Sequence, residues 1–282
     1  MRRMSKYLSP AKINWFLHIT AQRSDGYHEL ETVFQRIDWC DELIITPRID
    51  GQIILSGDLS GVLTSDNLAY RAARALQAYS PLGADIHLTK NIPTGAGLGG
   101  GSSNAATVLN ALNDLWSLHL PNATLQEIGL TLGADVPFFV SGLNAAFATG
   151  VGEVLQPIDL PPREILLVNP NVHVATAAVF AHADLTRDHA PLAMDMHELS
   201  QLIEQANPQL SNDLQKATFA LNQAVQSIYN ALLDAAPQSL VRMSGSGATV
   251  FAAPFDKTER YALEVWRQKL PKQWHAYWMT TI

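Results

Sequence analysis

Cysteine is nearly absent: the chain has one, Cys40, beside Trp39. One cysteine closes no intrachain disulfide and builds no zinc finger, so the expected compartment is a reducing cytoplasm. Cys40 itself reads as a core residue rather than a nucleophile. Charge is scarce as well: Asp, Glu, Lys and Arg make up 16% of the residues, against about a quarter in ordinary globular chains. The balance is −7, which argues against a protein that presents a basic face to nucleic acid. A small anionic ligand needs only local positive groups and is not excluded. No apolar run approaches the roughly 20 residues of a membrane span. The opening MRRMSKYLSPAKINWFLH is basic, but Pro10 and Lys12 interrupt it, so it does not read as a signal peptide. The nine histidines form no HExxH pair, and no protein-built zinc site is expected. Low-complexity tracts are missing too, which excludes a disordered chain.

What is present is 282 residues, 47% of them hydrophobic. That suffices for one large or two medium domains. AKINWFLHIT alternates as a strand, with Ile13, Trp15, Leu17 and Ile19 on one face. HELETVFQRIDWCDELIITP predicts two strands with a break near Asp41. SDNLAYRAARALQAYS predicts a helix with Leu68, Ala72, Ala75, Leu76 and Tyr79 on one stripe, capped by Ser65 or Asp66. Further helices are expected over 102–116, up to Gly133, near 175–182, over 194–205, 212–234 and 257–268. Short strands are expected at GQIILS, ADIHLT, NAAFATG, EVLQPI and EILLVN. LVRMSGSGATVFAA suggests a strand pair, and WHAYWM a closing strand. PIDLPP, with three prolines in six residues, marks a candidate boundary between residues 1–159 and 160–282. Strands and helices mix without a strict βαβ rhythm, so the fold class is α+β.

PTGAGLGGGSS, residues 93–103, places five glycines between Gly95 and Gly101. A linker would have polar, aperiodic flanks; here a strand enters and a patterned helix leaves. Gly95-x-Gly97-x-x-Gly100 matches a dinucleotide fingerprint, but the confirming acid should end a second strand about 20 residues on. Asp114 stands there, inside a helical pattern. A P-loop needs a lysine that this loop lacks, and a protein-kinase glycine loop leads into a strand rather than a helix. What all these loops share is an anion cradle: glycines let the backbone approach phosphate, and the following helix adds free amides and a partial positive charge. Ser102 and Ser103 are placed to meet a phosphate oxygen or a magnesium ion, or simply to cap the helix.

Three segments in order carry a resemblance. SPAKINWFLHI resembles the first, PTGAGLGGGSSNAA the second and SGSGATVF (244–251) the third conserved motif of the GHMP small-molecule kinases, which include galactokinase, homoserine kinase and mevalonate kinase. The longer stretches AKINWFL, RSDGYHELETVFQ and LTLGADVPFFVSG are similar to the branch of that family acting on 4-diphosphocytidyl-2-C-methyl-D-erythritol. The resemblance implies ATP-dependent phosphorylation of the acceptor's 2-hydroxyl, with ATP and Mg2+ required, in non-mevalonate isoprenoid biosynthesis. It implies two domains, the first like domain 2 of ribosomal protein S5 and the second ferredoxin-like, with the site in the cleft between them. Partners are then a small-molecule substrate, with no nucleic acid and no membrane, in a monomer or a homodimer. A GHMP-type kinase with another acceptor and a non-enzymatic nucleotide-binding protein on the same fold are the alternatives.

The resemblance also assigns residues. Asp135, in GADVP, matches the catalytic aspartate that orients or deprotonates the acceptor hydroxyl; the bland reading is a helix cap. Lys12 matches the catalytic strand lysine, expensive to bury unless paired; the bland reading is an edge lysine reaching solvent. Pro93, Thr94, Gly95, Ala96, Gly97 and Leu98, continuing through Gly99, Gly100, Gly101, Ser102 and Ser103, match the ATP loop. Asn14, two residues after Lys12 and so on the same strand face, resembles a substrate contact. Tyr27 and His28 match positions recognising cytidine, and Phe180 the second side of the base stack, with Thr176 nearby. A phenylalanine at 180 serves equally well as core. Ala177 stands where the family has proline, which bears on the backbone at 176–178. Lys90 is either a nucleotide contact or a solvated strand end. The sequence names no acidic magnesium ligand.

Overall fold

Strand β1 (Ser5–Gln22) is buried on both faces from Ala11 to Ile19. The expected apolar face is there, with Ile13, Trp15, Leu17 and Ile19 at 5% exposure or less. The opposite face, carrying Lys12, Asn14, Phe16 and His18, is equally dry. A strand that hides its polar face puts those side chains under obligation to find partners. These observations come from a computed structural model that describes residues 5–59, 61–205 and 207–282.

After β1 come β2 (His28–Arg48), β3 (Ile53–Gly57), α1 (Leu68–Leu76), β4 (Gly83–Thr89), α2 (Gly100–Leu115), α3 (Asn122–Leu132), α4 (Val136–Ser141), β5 (Ala145–Thr149) and β6 (Val154–Pro157). The chain continues through β7 (Glu164–Asn169), α5 (Thr176–Phe180), α6 (Met196–Glu204), α7 (Leu214–Leu221), α8 (Gln223–Ala235), β8 (Leu240–Met243), β9 (Val250–Ala253), α9 (Lys257–Arg267) and β10 (His275–Thr280). No helix among the described residues is long and apolar enough to cross a membrane.

By spatial contact the chain forms two units interleaved in sequence. One holds the chain up to Ala11 with Trp39–Thr94 and Gly99–Leu143; the other holds Lys12–Asp38, Gly95–Leu98 and Asn144–Ile282. In the first, β4 pairs antiparallel with the second half of β2, Glu42 opposite Thr89, and parallel with β3. Helices α1 and α2 pack through small residues: Ala69, Ala72 and Ala73 on α1, Ala105 and Ala106 on α2, all at 1% exposure or less. In the second, the first half of β2 pairs with β5, and β5 with β6, both antiparallel. There an antiparallel four-stranded sheet runs β10-β7-β9-β8. Its core joins Leu166, Val168, Val241 and Val250 from the sheet to Val225, Ile228 and Leu232 from α8 and Leu263 from α9.

Three local expectations are corrected. β2 does not break at Asp41; it runs 21 residues without interruption. Asp41 is fully buried and satisfied by Lys90 Nζ, the backbone amides of Asn91 and Ile92, and Asn104 Nδ2. The helix over 212–234 is two helices, because Asn222 turns extended (φ −148°, ψ 98°) and caps α8 through a bond from Ala224 N at 3.1 Å. The cap of α1 is Asn67, accepting from Ala69 N, rather than Ser65 or Asp66, and Tyr79 lies beyond its end, half exposed.

Candidate functional site

The glycine loop joins β4 to α2, and its glycines have different duties. Gly95, Gly97 and Gly99 have φ of 68°, 75° and 69°, the left-handed region that side chains resist. Between them Ala96 and Leu98 are buried at 3% and 1% exposure. The loop therefore alternates a left-handed glycine with a buried apolar anchor. At Gly97 there is no room either: an added Cβ would stand 2.2 Å from the carbonyl oxygen of Ser244 and 2.8 Å from that of Gly247. Gly95 is tight only against the His173 side chain, at 2.9 Å. Gly101 would meet nothing nearer than Leu68 Cδ1 at 3.6 Å. Thr94, Gly95 and Gly101 are exposed, with Pro93, Gly99 and Gly100 partly so.

The third motif holds the loop. Ser244 Oγ donates to Gly97 O at 2.9 Å and accepts from Asn14 N at 3.3 Å. Thr249 N donates to Ala96 O at 3.2 Å, and Lys12 N to Leu98 O at 3.0 Å. Asn212 Nδ2 donates to both Met243 O and Gly245 O at 2.8 Å, and Thr218 Oγ1 to Ser246 O at 3.1 Å. The first, second and third motifs thus meet through backbone groups and the Ser244 hydroxyl. Asn212 and Thr218 carried no sequence signal, since their partners lie 28 to 33 residues away.

Neither serine caps the helix. The N-cap is Gly99, with no side chain to offer, and Ser102 and Ser103 lie inside α2. Ser103 is buried and accepts from Ser9 Oγ at 2.8 Å. Ser102 is half-buried and is the serine left at the first turn of α2.

Lys12 is 3% exposed, which removes the reading as a solvent-reaching edge residue. Its Nζ donates to Asn14 Oδ1 at 2.6 Å and lies 4.9 Å from the centre of the Phe34 ring. Asn14 Nδ2 in turn donates to Thr32 Oγ1 at 2.8 Å, which fixes the orientation of the amide. The expected shared face of Lys12 and Asn14 is thus realised. Asp135 is the N-cap residue of α4, as the helix-cap reading expects, but its side chain makes no capping bond; Gly133 and Pro137 set the turn around it. Lys90 is not a solvated strand end: its side chain is 10% exposed and paired with buried Asp41.

The residues expected to recognise a base lie at the start of β2 and on α5. Tyr27 is 63% exposed on the turn where Arg23 N donates to Tyr27 O. His28 is buried, its ring 5.1 Å from that of Phe180 at 36°. The ring paired with Phe180 is thus His28. Arg187 Nε donates to His28 Nε2 at 3.3 Å. Burial, and after it the Arg187 charge, lowers the His28 pKa, since both disfavour the charged ring. Thr176 opens α5 as expected, with alanine at 177, and its hydroxyl shares a 2.8 Å bond with Ser246 of the third motif. Arg187 was missed, because a lone arginine in DLTRDHA has no pattern to mark it.

Comparison with known proteins agrees with these motifs. Residues 67–143 match the GHMP kinases N terminal domain and 186–272 the GHMP kinases C terminal domain. A 4-diphosphocytidyl-2-C-methyl-D-erythritol kinase of Paraburkholderia phytofirmans is 50% identical over 95% of this chain and 91% of its own. A crystal structure of 4-(cytidine 5'-diphospho)-2C-methyl-D-erythritol kinase superposes with a TM-score of 0.80 at 34% identity, covering 98% of this chain and 99% of that one. A homoserine kinase of Cytophaga hutchinsonii, at 15% identity, TM-score 0.68 and coverage of 100% and 95%, shares the fold alone. On that identity and coverage, the chain belongs to the 4-diphosphocytidyl-2-C-methyl-D-erythritol kinases, with the α+β architecture of the GHMP kinases.

Proposed function

We infer that this protein transfers the γ-phosphoryl group of ATP to the 2-hydroxyl of 4-diphosphocytidyl-2-C-methyl-D-erythritol, a step of non-mevalonate isoprenoid biosynthesis. The observation that carries this reading is the 50% identity to such a kinase over 95% of the chain. The acceptor oxygen attacks the γ-phosphorus, the bond from that phosphorus to the β–γ bridging oxygen breaks, and ADP leaves. Asp135 takes the hydroxyl proton. Lys12 offsets charge on the moving phosphoryl group, and its bond to Asn14 supports that role by fixing the ammonium. Residues 93–103 bind ATP, with amides of the loop and of the first turn of α2 turned to phosphate. Tyr27, His28, Thr176 and Phe180 bind the cytidine end, and Asn14 the reacting end.

Magnesium is proposed to arrive with the nucleotide. Among the described residues there is no cluster of three or more His, Cys, Asp or Glu to hold a metal. That suits an ion commonly held by one or two protein oxygens plus substrate phosphates. Ser102 is the proposed hydroxyl contact, and the ion supplies charge neutralisation on the phosphates. Residues 1–159 and 160–282 are proposed as the two sequence domains, and the cytoplasm as the location.

The test is ADP release with a panel of acceptors: the cytidyl compound, mevalonate, homoserine and galactose. Turnover with the cytidyl compound alone is expected; turnover with another acceptor at a comparable kcat/KM overturns the reading. Asp135→Asn keeps packing volume but cannot take the proton, so kcat is expected to fall by about 10²–10⁴. ATP affinity, measured by calorimetry, and the thermal melt are expected to hold. A folded variant keeping more than about a tenth of the rate removes Asp135 from the catalytic role.

A further inference from the structure

Phe180 and His28 are 152 residues apart in sequence, yet one side chain bonds to both. Arg187 donates through Nε to His28 Nε2 at 3.3 Å and through Nη2 to Phe180 O at 3.0 Å. Its remaining bonds run from Nη2 to His182 O at 3.0 Å and from Nη1 to Leu185 O at 3.1 Å. All of these acceptors are neutral, so the guanidinium serves here as a fork that fixes geometry rather than as half of an ion pair. The contact also has a consequence for the proton on His28. A guanidinium is a donor only and does not deprotonate in proteins. The Nε2 atom that receives it must therefore present a lone pair, and a neutral imidazole then carries its proton on Nδ1.

We propose that Arg187 is a positioning residue of the acceptor site, which locks the His28 ring against Phe180 and holds it as the Nδ1–H tautomer. The proposal rests on the reading of His28 and Phe180 as the cytidine-binding pair and names what keeps that pair in shape. A ring free to flip would offer a ligand a donor or an acceptor at the same place. A ring held by Arg187 offers one pattern, and a pyrimidine edge is read by such patterns. The lowered His28 pKa agrees, since burial and the nearby guanidinium both disfavour a second ring proton.

The experiment is nitrogen NMR of the full-length protein, labelled in histidine, near neutral pH. In the wild type, His28 is expected to show a protonated Nδ1 and an unprotonated Nε2; the opposite tautomer, or a doubly protonated ring, overturns the proposal without any variant being made. Arg187→Met keeps much of the stem and is expected to move His28 toward the Nε2–H form. It is also expected to raise the KM for the cytidyl acceptor about tenfold or more, leaving kcat and the KM for ATP unchanged. Arg187→Lys, with a single point-like donor, is expected to recover part of that loss. Equal loss for ATP and acceptor marks a merely structural arginine and overturns the role. Tyr27→Ala and His28→Ala separate the two layers. If they weaken acceptor binding and Arg187→Met does not, Arg187 alone is misassigned. If they leave acceptor affinity unchanged, the cytidine pocket falls and the role of Arg187 falls with it.

Discussion

Gly95–Leu98 of the glycine loop and the His28–Phe180 cluster belong to the same unit, but they are built from different material. At Ala96, Gly97 and Leu98 the contacts are carbonyls and amides, locked by Ser244, Thr249 and Lys12 N. Around His28 the contacts are side chains: an imidazole, a phenyl ring and a guanidinium, with Tyr27 standing mostly in solvent. The proposed ligands explain the division. Phosphate is the same in every nucleotide and is met by backbone amides, which every residue except proline supplies. A base must be told from other bases, which takes side chains with a face and an edge. Substitutions at Ala96, Gly97 and Leu98 should therefore act first on the fold, and those in the cluster first on affinity.

The largest effect expected from that comparison is at Gly97. Gly97→Ala puts a Cβ 2.2 Å from the Ser244 carbonyl oxygen in a residue at φ 75°. Both contacts are backbone, so relief requires parting the second and third motifs. The left-handed conformation alone costs about 1–2 kcal/mol, and with the clash the loss should reach roughly 2–4 kcal/mol. A thermal melt should fall by about 3–7 °C. A midpoint within about 1 °C of wild type would show that the loop yields easily and that its rigidity is not set by the third motif.

Next come the rings. Phe180→Ala and Tyr27→Ala should each weaken the cytidyl acceptor by roughly 1–3 kcal/mol if base stacking on an aromatic face carries over from single-stranded nucleic acid. ATP affinity should hold. The two differ in what else they touch: Phe180 packs against the buried core of its unit and stacks on His28, so its loss should lower the melt too. Exposed Tyr27 should change affinity without stability. Equal loss of ATP and acceptor affinity in Tyr27→Ala would break the division between the two regions.

Much of this was legible in the sequence, for a physical reason. Periodicity and turn residues mark β7, α3 and the β8–β9 pair because each is decided by neighbours along the chain. The motif order placed Lys12 and Asn14 on one face because a strand repeats every two residues. What the sequence did not disclose depends on distant partners. Asp41 looked like a strand breaker because its lysine and asparagine stand 49 and 63 residues on. Lys12 looked solvent-bound because alternation describes one strand and not what covers its second face. Arg187 was silent because its value lies in reaching back 159 residues to His28.

Thr176 joins the two regions, since its hydroxyl bonds Ser246 of the third motif while its helix carries Phe180. Thr176→Val removes that bond at nearly constant volume, and the cost should be about 1 kcal/mol. Both the acceptor and the ATP KM should rise by a factor of a few. A change confined to one substrate would place Thr176 wholly in that region.

The smallest effect on the fold is expected at Gly101, and it is the most informative about why the loop holds so many glycines. Gly97 is needed by the fold, since no side chain fits there. Gly101 is not: it lies in the first turn of α2, its φ is not left-handed, it is exposed, and a Cβ would meet only Leu68 Cδ1 at ordinary contact distance. Glycine in a helix costs up to about 1 kcal/mol relative to alanine, so Gly101→Ala should leave the melt unchanged or raise it slightly. The amide-rich start of α2 gives this glycine a proposed use: with no methyl in the way, an anion can approach the backbone there closely. The variant should therefore be as stable as the wild type or more so, yet bind ATP several-fold more weakly, with acceptor affinity unchanged. Calorimetric ATP titration beside a thermal melt separates the two quantities. If ATP affinity is also unchanged, phosphate does not approach this turn, and the nucleotide is held by the residues before Gly99.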